Sequence, residues 1–489
     1  MTGLEDLLGE LEYSVIQGDT EDIEVTKIVN DTRGIEEGCL FVCIAGANFD
    51  GHDFAGEAAD KGARVLVTEK DVKVSDEAEV TIVRVESTRR ALACISAAWF
   101  DYPAEKLTTI GVTGTKGKTT TTYLIKEMLE NAGHRTGLVG TIETVIGDTH
   151  IPSLNTTPES ITLQRYFAEM VKEGIDSVVM EVSSQALMLH RTDGFVFDYG
   201  VFTNISPDHI GANEHKDFED YLHCKSLLFS QCRVGIVNGD DGHVSDILKG
   251  ATCRTVSFGL KDGNDIKAEN IELVNGGSYL GVAFDTRGLI EESFRCDMPG
   301  RFTVYNALCA ISVCRELDIP PKAMNKALKS AKVKGRIEMI DISPAYTLMI
   351  DYAHNAMALE SLLTTLKEYE PGRLVTVFGC GGNRARDRRF DMGEVSGRLS
   401  DLTIITSDNP RFEDPEAILD DIEAGIKRTD GEYIRITDRK EAIAYAIHNA
   451  RKGDVIILAG KGHEDYQEIR GVKHPMDERV LIKEIINEV

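Results

Sequence analysis

Short apolar runs separated by polar turns recur along the chain, and their lengths read as buried strands. In the first hundred or so residues such runs lie at 40–44, 65–67 and 81–85, with helical stretches between them. Another run, 107–112, follows a Tyr102-Pro103 break. Beyond it Leu124, Ile125, Met128, Leu129 and Ala132 repeat at helical spacing, and Gly133 offers the stop. Further runs at 347–350, 374–378, 403–406 and 455–458 alternate with helical stretches. That alternation implies a parallel α/β sheet. The pattern predicts an α/β chain in three parts, 1–104, 105–334 and 335–489, without internal repeats or low-complexity tracts.

Composition changes this picture only at the edges. The 489 residues suit two to four domains, and an apolar content of 42% is that of a globular protein. No apolar run approaches the length that spans a bilayer, and the start Met1-Thr2-Gly3-Leu4-Glu5-Asp6 has no apolar signal core. The expectation is a cytoplasmic protein without a membrane partner. Ten cysteines form no Cys-x-x-Cys pair, and Cys39, Cys43, Cys309 and Cys314 sit in apolar runs, so buried reduced thiols are expected. A net charge of −27 argues against a general nucleic-acid binder. It leaves room for an anionic small substrate, because local arginines and backbone N–H groups can outweigh the global field.

The polar runs of chemical interest fall mostly just after predicted strands, where doubly wound sheets bind their ligands. The strand at 107–112 leads into Thr113-Gly114-Thr115-Lys116-Gly117-Lys118-Thr119-Thr120 and then into the helix. Glycines let the backbone wrap phosphate oxygens, and a helix N-terminus adds positive potential. In that context Lys118 would reach the β/γ oxygens of ATP, and the Thr119 hydroxyl would sit on Mg²⁺. The strict spacing of this motif fails at one position, where Val112 replaces the first glycine.

The remaining runs are individually ambiguous. Glu181 ends an apolar run and suits either a Mg²⁺ ligand or a solvated strand end. His209, after Asp208, suits a metal ligand or a loop histidine. Lys225, in a helical stretch at 221–229, reads as a surface lysine. Asn155-Thr156-Thr157-Pro158-Glu159 is a polar loop or a helix entry. Asp351-Tyr352-Ala353-His354-Asn355 opens a helix. After a glycine loop, Arg384, Arg386, Arg388 and Arg389 suggest recognition of an anion or carboxylate. Asp408-Asn409-Pro410-Arg411 and Gly460-Lys461-Gly462-His463-Glu464 each suit an ordinary turn.

Taken together and in this order, these runs resemble the Mur ligases over essentially the whole chain. Within that family the likeness is greatest to the branch that extends UDP-MurNAc-L-Ala-D-Glu. The resemblance implies an N-terminal domain for the UDP end of the substrate, a central ATPase and a Rossmann-like C-terminal domain. It implies a peptidoglycan-building reaction in which ATP phosphorylates the D-glutamate side-chain carboxylate and an amine then attacks the acyl phosphate. By the same likeness Thr119, Glu181 and His209 surround the metal, and Lys225 matches a carbamylated lysine. Asn306 and Arg336 match positions at the nucleotide, and Asp351 and His354 lie near the γ-phosphate. Asn30, Thr32, Asn155, Thr156, Thr157, Ser183 and Arg191 match the UDP-sugar substrate. The stretch 208–215 is longer than the common pattern, and Lys116 stands where asparagine is commoner.

Asp408-Asn409-Pro410-Arg411 resembles the signature of enzymes that add meso-diaminopimelate. An arginine fork pairs well with a distal carboxylate, whereas it would repel a lysine ammonium. Arg384, Asp408, Asn409, Pro410, Arg411, Gly460 and Glu464 are the positions carried over, with Glu464 facing the distal ammonium. A monomer is expected. The alternatives are the same reaction with L-lysine or another diamino acid, a folylpolyglutamate-synthase-like ligase, and a nucleotide-binding regulator without ligase activity.

Overall fold

The computed structural model describes residues 2–46, 49–208, 210–211, 214–277 and 279–487. The chain forms two compact units, Met1–Asp265 with Cys309–Ile319, and Ile266–Leu308 with Pro320–Val489. Among the described residues no helix is long and apolar enough to cross a membrane.

The first unit holds two sheets. One is five-stranded, in the order Tyr13–Gln17, Thr81–Val85, Val65–Thr68, Leu40–Val42, Ile28–Val29. All its neighbours are parallel except the edge strand Tyr13–Gln17. The predicted strands at 40–44, 65–67 and 81–85 are therefore interior, with both faces of Val65, Leu66 and Val67 buried. Continuous apolar runs, rather than alternating ones, suit strands covered on two sides.

The second sheet positions the phosphate loop. Its parallel core runs Thr136–Val139, Ser177–Glu181, Thr108–Thr113, Phe197–Phe202, Cys232–Asn238, Arg254–Gly259. An antiparallel hairpin, Glu143–Ile146 with Thr149–Pro152, extends the edge at Thr136–Val139. Thr108–Thr113 comes first in sequence yet lies inside the sheet, so chain connections leave it in both directions. Such a reversal opens a crevice at the carboxyl ends of the strands. Leu124, Ile125, Met128 and Leu129 are buried, as their spacing predicted, and the helix Lys118–Asn131 stops just before Gly133.

In the second unit, Ile266–Asn275, Leu280–Gly288 and Ser293–Cys296 form an antiparallel meander. A six-stranded sheet follows, ordered Glu338–Ile340, Thr347–Asp351, Asp454–Ala459, Arg373–Phe378, Leu402–Ile405, Tyr433–Arg435. Only the first pair is antiparallel. Each of the four runs expected here is a strand, displaced by no more than a residue at either end.

The helix expected at 221–229 is instead Phe218–Ser226, followed by a tighter turn at Leu227–Ser230. Its start moves upstream because the Asp217 side chain accepts from the Asp220 N–H and caps the first turn. All ten cysteines are free thiols, and all but Cys253 are buried.

Candidate active site

The loop after Thr108–Thr113 has the backbone that a phosphate cradle requires. Gly114 has φ +148°, and a Cβ there would lie 2.0 Å from Thr203 Oγ1, so only glycine fits. Gly117, at φ +86°, is the N-cap of Lys118–Asn131. The neighbouring strand end pins the loop. The Thr115 N–H donates to the Asn204 carbonyl at 2.9 Å, and the Lys116 N–H to Asn204 Oδ1 at 3.0 Å. Thr203 Oγ1 and Asn204 Nδ2 donate to the Lys116 carbonyl at 2.8 and 2.9 Å. Val112, in place of a first glycine, is a fully buried strand residue, which accounts for the nonstandard spacing.

Two lysines converge on this loop. Lys118 Nζ donates to the Gly114 carbonyl at 2.8 Å, and Lys225 Nζ reaches the same carbonyl at 3.0 Å. The reading of Lys225 as a surface lysine is thereby corrected: it is 1% exposed. Phe218–Ser226 turns it inward over the Tyr221 ring, 4.5 Å from the centroid. Burial, reinforced by the nearby Lys118 ammonium, pulls the Lys225 amine well below the ordinary lysine range. Thr115 Oγ1 and the Tyr221 hydroxyl lie 3.0 Å apart and tie the loop to that helix.

Glu181 lies at the end of Ser177–Glu181 and is buried. Its Oε1 accepts from Thr119 Oγ1 at 3.0 Å and from the Thr141 N–H at 2.8 Å, and its Oε2 from Thr141 Oγ1 at 3.1 Å. A carboxylate and a hydroxyl this close supply the hard oxygen donors that Mg²⁺ prefers, so the residues fit that ion. His209, the third expected metal residue, lies outside the described residues.

A cavity of about 280 Å³ opens beside the loop, lined by Lys118, Leu154, Asn155, Thr156, Ser183, Ser184, Gln185, Arg191, Tyr221 and Lys225. Among the described residues its lining holds the Lys118 and Arg191 cations, the Lys225 amine and no carboxylate. Four of the expected substrate residues, Asn155, Thr156, Ser183 and Arg191, therefore line one cavity. Thr157 stands just behind, donating to the Glu181 carbonyl at 2.9 Å and accepting the Ser183 N–H at 3.0 Å. Arg191 is held by the Thr157 carbonyl at 3.0 Å and by Glu159. Among the described residues its Nε is buried without a partner, a donor awaiting an acceptor. Asn30 and Thr32, beside the Asp31–Arg33 pair of the N-terminal sheet, do not line this cavity. Thr120 continues the helix behind the loop.

One group at this cavity escaped sequence reasoning. Asp220 Oδ2, His215 Nδ1 and Nε2, and Ser184 Oγ form a chain with steps of 3.1 and 2.8 Å, and His215 is fully buried. With Asp220 accepting from Nδ1–H, the ring is fixed with Nε2 against the Ser184 hydroxyl. The signal was the histidine-rich stretch 208–215, whose length departs from the family pattern.

In the second unit Asn306 is buried on the helix Arg301–Glu316. Arg336 lies over the Tyr352 ring at 4.9 Å, and among the described residues its Nε is buried without a partner. Asp351, at a strand end, accepts from the Ile337 and Ala353 N–H groups, both at 2.8 Å. Burial raises its carboxyl above the usual range, against the pull of those bonds and of Arg336. His354 Nδ1 lies 2.9 Å from the Tyr352 carbonyl, so that nitrogen donates.

The expected amine end is also here. Arg411, at φ +53°, donates from Nε to Glu468 at 3.1 Å and from Nη1 to the Gly382 carbonyl at 2.7 Å. Asn409 Nδ2 donates to Glu464 Oε2 at 2.8 Å. Asp408 and Pro410 flank Asn409 and are buried. Gly460 has φ +108°, and a Cβ there would meet Asp408 Oδ2 at 2.9 Å. Arg384 is exposed and makes no ion pair among the described residues. The four-arginine reading needs correction. Arg386 and Arg389 bind Asp421 with contacts of 3.1 and 3.0 Å, and Arg389 also binds Glu413 at 2.8 Å. These two arginines brace two packed helices, Asp387–Leu399 and Pro415–Ile426, rather than wait for an anion.

Comparison with known proteins agrees along the whole chain. Residues 24–100 match the Mur ligase family catalytic domain, 112–314 the Mur ligase middle domain, and 335–462 the Mur ligase glutamate ligase domain. The UDP-N-acetylmuramoyl-L-alanyl-D-glutamate--2,6-diaminopimelate ligase of Clostridium botulinum is 43% identical over 488 residues, covering 99% of each chain. A solved structure of a protein of that same name superposes with TM-score 0.76 and 27% identity, covering 100% of this chain and 99% of the other. Folylpolyglutamate synthase of Mycobacterium tuberculosis, in complexes with ADP and AMPPCP, gives TM-score 0.58 at 17% identity, covering 76% of this chain and 92% of its own. That last likeness is one of fold alone.

Proposed function

The chain belongs to the Mur ligase family, and we propose that it joins meso-diaminopimelate to the D-glutamate γ-carboxylate of UDP-MurNAc-L-Ala-D-Glu. As a member it is an ATP-dependent amide-bond-forming ligase. A cavity lined by the Lys118 and Arg191 cations and the Lys225 amine, in a chain of net charge −27, carries the reading. Such a cavity attracts a phosphoryl group and a carboxylate together.

The reaction follows from the residues. A carboxylate is a poor electrophile, so its oxygen first takes the γ-phosphoryl group of ATP, releasing ADP. The transfer calls for positioning and charge neutralisation more than covalent help. Gly114 to Thr120 would cradle the phosphates, Lys118 would meet the transferring group, and Arg191 would hold the carboxylate that accepts it. Thr119 and Glu181, with His209, would hold Mg²⁺, which when bound neutralises charge on the phosphate oxygens. The diaminopimelate amine then attacks the acyl carbon, phosphate leaves, and the nitrogen gives up a proton.

The other roles are proposed residue by residue. Asn30, Thr32, Asn155, Thr156, Thr157 and Ser183 bind the UDP-MurNAc-dipeptide. Asn306, Arg336, Asp351 and His354 serve the nucleotide. Arg384, Asp408, Asn409, Pro410, Arg411, Gly460 and Glu464 receive the amino acid. Lys225 becomes a carbamate: its neutral amine adds to CO₂ with loss of one proton, turning a buried neutral group into a buried anion. The depressed amine supports this step, because only the uncharged nitrogen is nucleophilic.

Arg411 favours diaminopimelate over L-lysine. Its Nη2 meets no protein acceptor among the described residues and is free for a distal carboxylate that L-lysine lacks. Phosphate release with UDP-MurNAc-L-Ala-D-Glu and each amino acid in turn is the test. Preference for L-lysine would overturn the amine assignment, and ATP binding without turnover on any pair would favour a regulator.

A further inference from the structure

Lys461 is fully buried, and its Nζ is surrounded by Asn409 Oδ1 at 2.9 Å, Glu464 Oε2 at 2.9 Å and the Tyr466 carbonyl. An ammonium has three hydrogens, so every donor is used inside the protein. Asp408 Oδ1 stands further off, at 3.9 Å, and the Tyr466 ring covers the cation at 5.1 Å. This lysine has nothing left to offer a ligand.

Its effect is on two groups that do. Asn409 Oδ1 accepts from both Lys461 and the Glu468 N–H, the latter at 2.9 Å. The amide cannot flip, and its nitrogen must face Glu464. Glu464 Oε2 then accepts from both Asn409 and Lys461. Among the described residues Glu464 Oε1 has no donor, and the second Asn409 Nδ2 hydrogen has no acceptor. A free carboxylate oxygen is left beside a free amide N–H. Acceptor beside donor matches an ammonium beside a carboxylate, the pair at one end of an α-amino acid.

We propose that Lys461 is a positioning residue for the amine substrate, a buried ammonium that locks Asn409 and Glu464 in the orientation that receives the ammonium and carboxylate of that amino acid's distal end. The proposal rests on the amine-site reading above. A charge this deep returns little stability, since a well-packed apolar side chain of similar volume often serves as well or better. The geometry it imposes on its two neighbours is what it contributes.

A double-mutant cycle on the full-length enzyme tests this, run with whichever amino acid the wild type prefers. Lys461→Met should raise KM for that amino acid by about tenfold or more while KM for ATP changes less than about threefold. In a Glu464→Gln background the same change should add less than about threefold, because the group it positions is already impaired. Lys461→Gln, which keeps a donor in the polar cage, should fall between wild type and Lys461→Met and serves if the methionine variant does not fold. Equal effects in both backgrounds, or an unchanged amino-acid KM, would overturn the proposal. A parallel rise in all KM values with a lowered melting temperature would also overturn it, as the mark of a purely structural lysine. Wild-type preference for L-lysine, whose distal end has no carboxylate, would refute the diaminopimelate assignment and with it the carboxylate half of this proposal, leaving the double-mutant cycle to test the ammonium half; ATP turnover independent of any amino acid would refute both.

Discussion

The proposed phosphate end and the proposed amine end are built on opposite plans. At the phosphate end the Lys118 ammonium and the Lys225 amine both reach the backbone carbonyl of Gly114. A phosphate oxygen is a stronger acceptor for the Lys118 ammonium than a backbone carbonyl is. At the amine end acids and bases are already matched: Arg411 with Glu468, Lys461 with Glu464, Asn409 bridging. There a ligand meets a preset array with a few open valences. The first arrangement supplies electrostatic driving force, and the second supplies selectivity.

If that contrast is right, substitutions at the two ends differ in kind. The largest effect belongs to Lys118→Met, expected to lower kcat by about a thousandfold, since the loss falls on a group that matters most in the transition state. Single-turnover measurement of acyl-phosphate formation reads it, and a loss confined to KM for ATP would contradict it. Lys225→Gln comes next, with kcat down by about a hundredfold. Its companion is mass spectrometry or ¹³C NMR after exposure to ¹³CO₂. Because the folded protein holds this amine below the lysine range, it stays neutral to lower pH than an ordinary lysine. Label should therefore persist at neutral pH and leave on acidification, as protonation of the nitrogen reverses the addition; no label at neutral pH would refute the carbamate.

At the amine end, Arg411→Ala should raise KM for meso-diaminopimelate by about ten- to a hundredfold, the loss of a charged hydrogen-bonding partner. L-Lysine should become the more competitive substrate, and an unchanged ratio between the two amino acids would break the assignment. The smallest effect is expected at Arg386→Ala, which removes a contact to Asp421 already duplicated by Arg389. Amino-acid KM should stay within about twofold, as for surface changes away from a site. A large increase would restore the anion-binding reading of that arginine.

The same contrast explains what the sequence disclosed. The phosphate loop is written in backbone conformation, and glycines at fixed spacing between strand and helix betray it. The interior strands were legible because both of their faces are apolar. Lys225 was not, because inward or outward orientation depends on where Asp217 caps its helix. Arg386 and Arg389 were misread for a similar reason. Their partners, Asp421 and Glu413, lie about thirty residues on, and only the fold brings them together. Lys461 looked like part of a turn, yet it is the fully buried centre of the amine-end array. Side-chain pairing between distant segments leaves no local trace, and nearly the whole amine end consists of it.

Amino-acid-dependent phosphate release, with ATP and UDP-MurNAc-L-Ala-D-Glu present, tests the account most directly. The account predicts turnover that requires both the nucleotide-linked dipeptide and an amino acid, fastest with meso-diaminopimelate and far slower with L-lysine. Turnover that favours L-lysine, or that proceeds without the UDP-linked substrate, would contradict it.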